Sequence, residues 1–119
     1  MRILVAEDEP ILIRTIELRL KKDGHEVCLA VDGQQALDQF EAFAPDMIIT
    51  DIMMPYASGL EIISFVRGQT GKKVPVIILS SMGQEDVVLE AFQLGADDYI
   101  TKPFSPNELS VRVKRLFSA

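Results

Sequence analysis

Glu7, Asp8 and Asp51 are carboxylates, Ser80 offers a hydroxyl and Lys102 an ammonium group, and each stands just after a short apolar run of the chain. The clearest run is Met47-Ile48-Ile49-Thr50, which leads straight into Asp51 and then, four residues on, Pro55. An apolar run bounded by turn signals reads as a strand buried on both faces, with Asp51 delivered to its carboxyl end. In an open α/β sheet that edge is where ligands bind. Taken alone, Asp51 reads equally well as an ordinary turn-starting aspartate ahead of a proline-containing loop. Company decides the matter. Glu7-Asp8-Glu9 follows Ile3-Leu4-Val5-Ala6, Ser80-Ser81 follows Val76-Ile77-Ile78-Leu79, and Lys102 follows Tyr99-Ile100-Thr101. Carboxylates drawn into one pocket repel one another and stay ionised only around a cation. With no histidine or cysteine in the set, a hard ion with oxygen ligands, Mg²⁺, is expected rather than zinc or copper. A lysine and a hydroxyl aimed at the same place are equipment for stabilising a phosphoryl group in transit, and an adjacent aspartate can be its nucleophile.

The elements that must position these groups can be read in order. Strands are expected near residues 2–6, 27–30, 47–50, 74–79 and 98–101, alternating with five helices. Pro10 suits the first turn of a helix whose buried face is Ile13, Ile16 and Leu20, and Gly24 closes it. Asp32 with Gln35 resembles a capping box for a helix carrying Ala36, Leu37, Phe40 and Phe43, which Pro45 ends. Ser58-Gly59-Leu60-Glu61 is a second capping box, ahead of inward Leu60, Ile63 and either Val66 or Phe65. Gly68 to Lys73 reads as a surface loop. Glu85 and Asp86 favour the dipole of a helix with Val87, Val88, Ala91 and Phe92, stopped by Gly95. Ser105-Pro106-Asn107-Glu108 opens the last helix, with Leu109, Val113 and Leu116 as its stripe.

Alternation of this kind implies an α/β fold, a doubly wound five-stranded parallel sheet with right-handed crossovers and helices on both faces. Strand order 2-1-3-4-5, the flavodoxin-like arrangement, sets the ends of strands one and three side by side. At 119 residues the chain is expected to form one domain, 1–119, with a core that needs neither disulfide nor structural metal. Its 18 acidic and 12 basic residues leave a net charge of −6, which argues against direct nucleic-acid binding by this domain. Cys28, the single cysteine, is expected to be a buried, inert thiol, and His25 is assigned no role. Met1-Arg2 runs directly into a strand and no apolar run reaches the length of a signal core or membrane span, so a cytoplasmic, membrane-free protein is expected.

An acidic pair after strand one, aspartate after strand three, Ser or Thr after strand four and Lys-Pro after strand five resemble the response-regulator receiver domain. The likeness spans the chain, through Asp51-Ile52-Met53-Met54-Pro55, Gly59, Gly95-Ala96-Asp97-Asp98-Tyr99 and Lys102-Pro103-Phe104. It implies that Asp51 is the phosphoacceptor and that Asp8, Asp51 and, through water, Glu7 hold Mg²⁺, with the Met53 carbonyl completing the protein ligands. It also makes Ser80 the hydroxyl that follows the phosphoryl group, Lys102 its cationic partner and Tyr99 an aromatic whose inward or outward rotamer reports the state. Lys102-Pro103 is a cis peptide in that family. Met53 and Met82, two residues after Asp51 and Ser80, fall where the family controls hydrolysis. Serine stands at position 80 where threonine is commoner, and Glu7-Asp8 where two aspartates are also frequent.

The resemblance implies a phosphoacceptor switch that catalyses only its own phosphorylation and dephosphorylation, with a sensor histidine kinase or phosphotransfer protein as partner. It is nearest to the receivers of winged-helix transcription factors, which pair through helix four, strand five and helix five. Asp97, Asp98, Glu108, Arg112 and Arg115 could serve such a homodimer, although Val88 stands where that subfamily tends to place a basic residue. A flavin carrier of the same fold is disfavoured because Glu7-Asp8-Glu9 would repel the flavin phosphate. A phosphatase with an Asp-x-Asp nucleophile is disfavoured because Met53 holds the second aspartate's place. A receiver-like interaction module that works without phosphorylation is the remaining alternative.

Overall fold

The computed structural model describes residues 1–69 and 73–117. The elements alternate as β1 (Arg2–Ala6), α1 (Pro10–Lys22), β2 (Glu26–Ala30), α2 (Gly33–Phe43) and β3 (Met47–Asp51). They continue as α3 (Gly59–Arg67), β4 (Val76–Ser80), α4 (Glu85–Leu94), β5 (Asp98–Thr101) and α5 (Pro106–Phe117). All strand pairs are parallel and the sheet order is β2-β1-β3-β4-β5, as the sequence predicts. Thr70, Gly71 and Lys72, within the loop expected between Gly68 and Lys73, lie outside the described residues.

Every residue of β3 and β4 is buried, because successive side chains feed two different cores. Ile3, Val5, Met47, Ile49, Ile77 and Leu79 face α1 and α5, where Ile13, Ile16, Leu20, Leu109 and Val113 receive them. Leu4, Ala6, Ile48, Val76 and Ile78 face α2, α3 and α4. Each fully buried aliphatic side chain contributes about 1.5–3 kcal/mol, so this layering holds the strand ends rigidly in register. Asp51 then sits opposite Leu79, and the Lys102 amide donates to the Ser80 carbonyl at 2.7 Å.

Several local expectations need correcting. On α3 the buried residues are Ile62, Ile63 and Val66, while Leu60 is only partly buried and Phe65 is exposed. The reason is that Gly59 already sits inside, against β3, which turns Ile62 rather than Leu60 inward. Asp32 caps α2 by accepting from the Gln35 amide, but the Gln35 side chain reaches the Val31 amide instead of closing the box on Asp32. The Ser58–Glu61 box is complete. Cys28, expected to be buried, is only half-buried, its thiol donating to Gln39 Oε1 at 2.6 Å, and burial pushes its pKa up. Asp97 does not face outward: Arg67 binds it at 2.8 Å and the Val76 amide donates to it. Asp98 is likewise buried beneath Arg112, at 2.9 Å.

Two backbone features shape the loop after Asp51. Gly33 lies so close to Ala57 that a Cβ there would fall on the Ala57 carbonyl oxygen. In the same loop Tyr56 has φ 72° and is flanked by an Ala57 amide that donates to the Pro55 carbonyl at 2.9 Å, forming a γ-turn. A positive φ costs a bulky residue roughly 1–3 kcal/mol, and the Tyr56 ring, 85% exposed, packs on little that would offset it. Glycine adopts that φ freely but loses more backbone entropy on folding. The balance predicts that Tyr56→Gly stabilises the fold by about 1 kcal/mol, or roughly 4 °C in melting midpoint. A midpoint lowered by the substitution would show that the tyrosine is not strained.

Candidate functional site at the carboxyl edge of the sheet

Glu7 is carried past the end of β1 by a hydrogen bond from its amide to the Ala30 carbonyl, and it is fully buried. Its Oε2 accepts from the Glu9 amide at 3.0 Å. Its Oε1 lies 2.9 Å from Lys102 Nζ without hydrogen-bond alignment, so it remains a buried acceptor with no aligned donor. Burial pushes the Glu7 pKa up to about 7; Lys102 and the Glu9 amide restrain the rise, and the charge of Asp51 adds to it. Asp51 closes β3, 8% exposed, accepting from the Met53 amide on Oδ1 at 3.3 Å and from Lys102 on Oδ2 at 2.9 Å. Asp8 faces solvent at the open side.

Ligand oxygens of Glu7, Asp8 and Asp51 all lie within 4.8 Å of one another. A hard divalent cation fits them on two counts: it would complete the unaligned Glu7 oxygen, and it would offset the mutual repulsion of carboxylates drawn together at this edge. The donor set is all oxygen, as Mg²⁺ requires, and the Met53 amide contact with Asp51 keeps that residue's backbone beside the cluster. Gly59 makes the approach possible, since a Cβ there would meet the Asp51 carbonyl at 2.6 Å.

Lys102 directly follows β5, and the peptide bond after it, Lys102–Pro103, is cis. Its ammonium contacts three carboxylates, Glu7 and Asp51 at 2.9 Å and Glu9 at 3.1 Å. Burial works against its charge, but its contacts with Asp51, Glu7 and Glu9 outweigh that, and its pKa is raised. Ser80, 2% exposed, ends β4, the strand between β3 and β5, and opens onto a cavity of about 460 Å³. Met82, Val88, Phe92, Tyr99 and Thr101 share that cavity's wall. Tyr99 is turned outward, 41% exposed, its ring edge-on to Phe92 at 5.9 Å. Met53 and Met82 are both exposed. The predicted site residues therefore converge on one edge, apart from Tyr99 and Met82, which stand across the cavity.

Residues 3–114 match the response regulator receiver domain family. The chain belongs to that family. It is 37% identical over 115 residues to the alkaline phosphatase synthesis transcriptional regulatory protein PhoP of Bacillus subtilis, covering 97% of the chain and 48% of that protein. It is 39% identical over 116 residues to response regulator RR06 of Streptococcus pneumoniae, covering 98% and 52%. The receiver domain of the Francisella response regulator 1452 superposes with a TM-score of 0.87 at 36% identity, covering 98% of this chain and 96% of that one. This receiver thus spans about half the length of the curated relatives it matches. No helix among the described residues is long and apolar enough to cross a membrane.

Glu9 is the member of this receiver's edge that the sequence left without a role. It appears there only as the third of three acids, and its distance to Lys102 depends on a crossing from β1 to β5 that no spacing in the chain reveals. One sequence signal was present. A glutamate occupies the N-cap of α1, where Ser, Thr, Asp or Asn would be preferred, and its side chain makes no cap hydrogen bond.

Proposed function

We propose that this receiver accepts a single phosphoryl group on Asp51 in a Mg²⁺-dependent reaction and thereby switches the surface formed by α4, β5 and α5. The observation that supports it best is the placement of Asp51 Oδ2 2.9 Å from Lys102 Nζ, beside the three-carboxylate cluster and the buried end of β4 at Ser80. An Asp51 oxygen attacks the donor phosphorus. The bond from phosphorus to the donor's leaving group breaks, and that group keeps the electron pair. Lys102 supplies positive charge and hydrogen bonds to the phosphoryl oxygens, and the Ser80 hydroxyl donates another. Mg²⁺ bound by Asp8, Asp51, the Met53 carbonyl and, through water, Glu7 would neutralise charge on the transferring group. The donor is a sensor histidine kinase or a phosphotransfer protein. The chain is a switch and turns over no substrate beyond its own aspartyl phosphate.

Phosphorylation biases two states of the Ser80–Tyr99 cavity, because the phosphoryl group interacts better with the state in which Ser80 moves toward it and Tyr99 fills the space behind. In this reading the outward Tyr99, edge-on to Phe92, belongs to the unphosphorylated end of that equilibrium. A homodimer through α4, β5 and α5 is one output of the switch. Arg112 and Glu108 remain partly exposed there, whereas Asp97 and Asp98 are already committed within the chain.

The metal reading is tested by thermal melts. A ligand that binds only the native state at a hundredfold excess over its Kd adds roughly 2.7 kcal/mol of stability, and Asp8→Asn should remove most of that gain. Coincident melts with and without millimolar Mg²⁺ would contradict it.

A further inference from the structure

We propose that Glu9 is a positioning residue for Lys102, a rim carboxylate that holds the ammonium in its unphosphorylated arrangement and releases it when Asp51 carries a phosphoryl group. The inference rests on the reading of Asp51 given above. A lysine ammonium has three N–H donors, and here three carboxylates lie within 3.1 Å of it. Two of those donors are aligned on Asp51 and Glu9, and Glu7 Oε1 takes up the ammonium's third side at 2.9 Å, so drawing the ammonium toward a phosphoryl group on Asp51 draws it away from one of the three carboxylates. Glu7 is fully buried, so losing its cation would strand a charge away from water. Asp51 is the residue that carries the new group. The Glu9 side chain is 61% exposed, and water readily replaces its partner. Glu9 is therefore the exchangeable contact.

Two further observations separate this role from those already described. The carboxylates that come together closely enough to hold a cation are Glu7, Asp8 and Asp51, without Glu9. And the Glu9 side chain, although it stands at the N-cap of α1, makes no cap hydrogen bond; its carboxylate is turned to Lys102 instead. Removing its charge leaves the helix start intact and removes a competitor for the ammonium.

The expected consequence is a gain of function. A largely exposed ion pair of this kind contributes about 0.2–1 kcal/mol, so Glu9→Gln should tighten binding of a phosphoryl mimic by about 1.5- to fivefold. The experiment is a ¹⁹F NMR titration with beryllofluoride at saturating Mg²⁺, on wild type and Glu9→Gln, each with Lys102 and with Lys102→Met. A tighter Glu9→Gln complex whose advantage disappears in Lys102→Met shows that Glu9 acts through the lysine. The same advantage in both backgrounds would mean simple repulsion of the anion and would overturn the proposal, as would weaker or unchanged binding by Glu9→Gln. If Lys102→Met binds too weakly to titrate, Glu9→Asp takes its place. It keeps the charge but is one methylene shorter, so it should tighten binding as Glu9→Gln does, and wild-type affinity would overturn the proposal. Wild type that fails to bind beryllofluoride at all would instead sink the assignment of Asp51.

Discussion

The aspartyl phosphate of this receiver should persist for many minutes after the donor is removed, and should be lost about ten- to a thousandfold faster in Met53→Asn combined with Met82→Glu. Hydrolysis needs a water held in line with the bond from phosphorus to the Asp51 oxygen. Polar side chains two residues after Asp51 and two after Ser80 can hold that water, and here both positions are thioethers, weak acceptors with no donor. Met53 is 55% exposed beside Asp51 and Met82 is 83% exposed on the wall of the Ser80 cavity, so both are free to lie over the approach. Intact-mass measurements on desalted, phosphorylated protein follow the decay. A wild-type lifetime of seconds, or a double variant no faster than wild type, would show that the two methionines do not govern the rate.

Gly33→Ala should be the most damaging of the small substitutions, costing about 3 kcal/mol and roughly 10 °C of melting midpoint. The added methyl would coincide with the Ala57 carbonyl, whose two atoms are its nearest neighbours and are backbone, so relief requires moving α2 or the Met53–Ala57 loop. That loop follows Asp51 directly, and the Gly33 amide also donates to its Pro55 carbonyl at 3.3 Å. Stability and Mg²⁺ binding should therefore fall together. Gly24→Ala is the control: it is strained by a φ of 96° but meets nothing within 4 Å, and about 1 kcal/mol is expected there with metal binding untouched. Equal losses for the two variants, or a Gly33→Ala protein with wild-type metal response, would contradict the coupling.

What was legible in the sequence follows from which interactions are local. Strands buried on both faces announce themselves as unbroken apolar runs, so Met47–Asp51 and Val76–Ser80 could be located and the polar groups at their ends assigned to one edge. Capping is equally local, and the Ser58–Glu61 box formed as expected. The errors lie where a contact crosses the fold. Leu60 and Ile62 both fit a helical stripe, and only the burial of Gly59 against β3 decides between them. Asp97 looked like surface charge because its partner Arg67 is 30 positions away. Glu9 had no assigned role for the same reason, being 93 positions from Lys102. The outward pose of Tyr99 rests on how its ring packs edge-on against Phe92, and composition carries no record of that packing.

The most direct test is where a phosphoryl group lands. Wild type and Asp51→Asn are incubated with acetyl phosphate and Mg²⁺, weighed intact, and compared with samples containing chelator. Wild type should gain one phosphoryl group, dependent on the metal, and Asp51→Asn none; a gain that survives Asp51→Asn, or labelling indifferent to the chelator, would contradict the account.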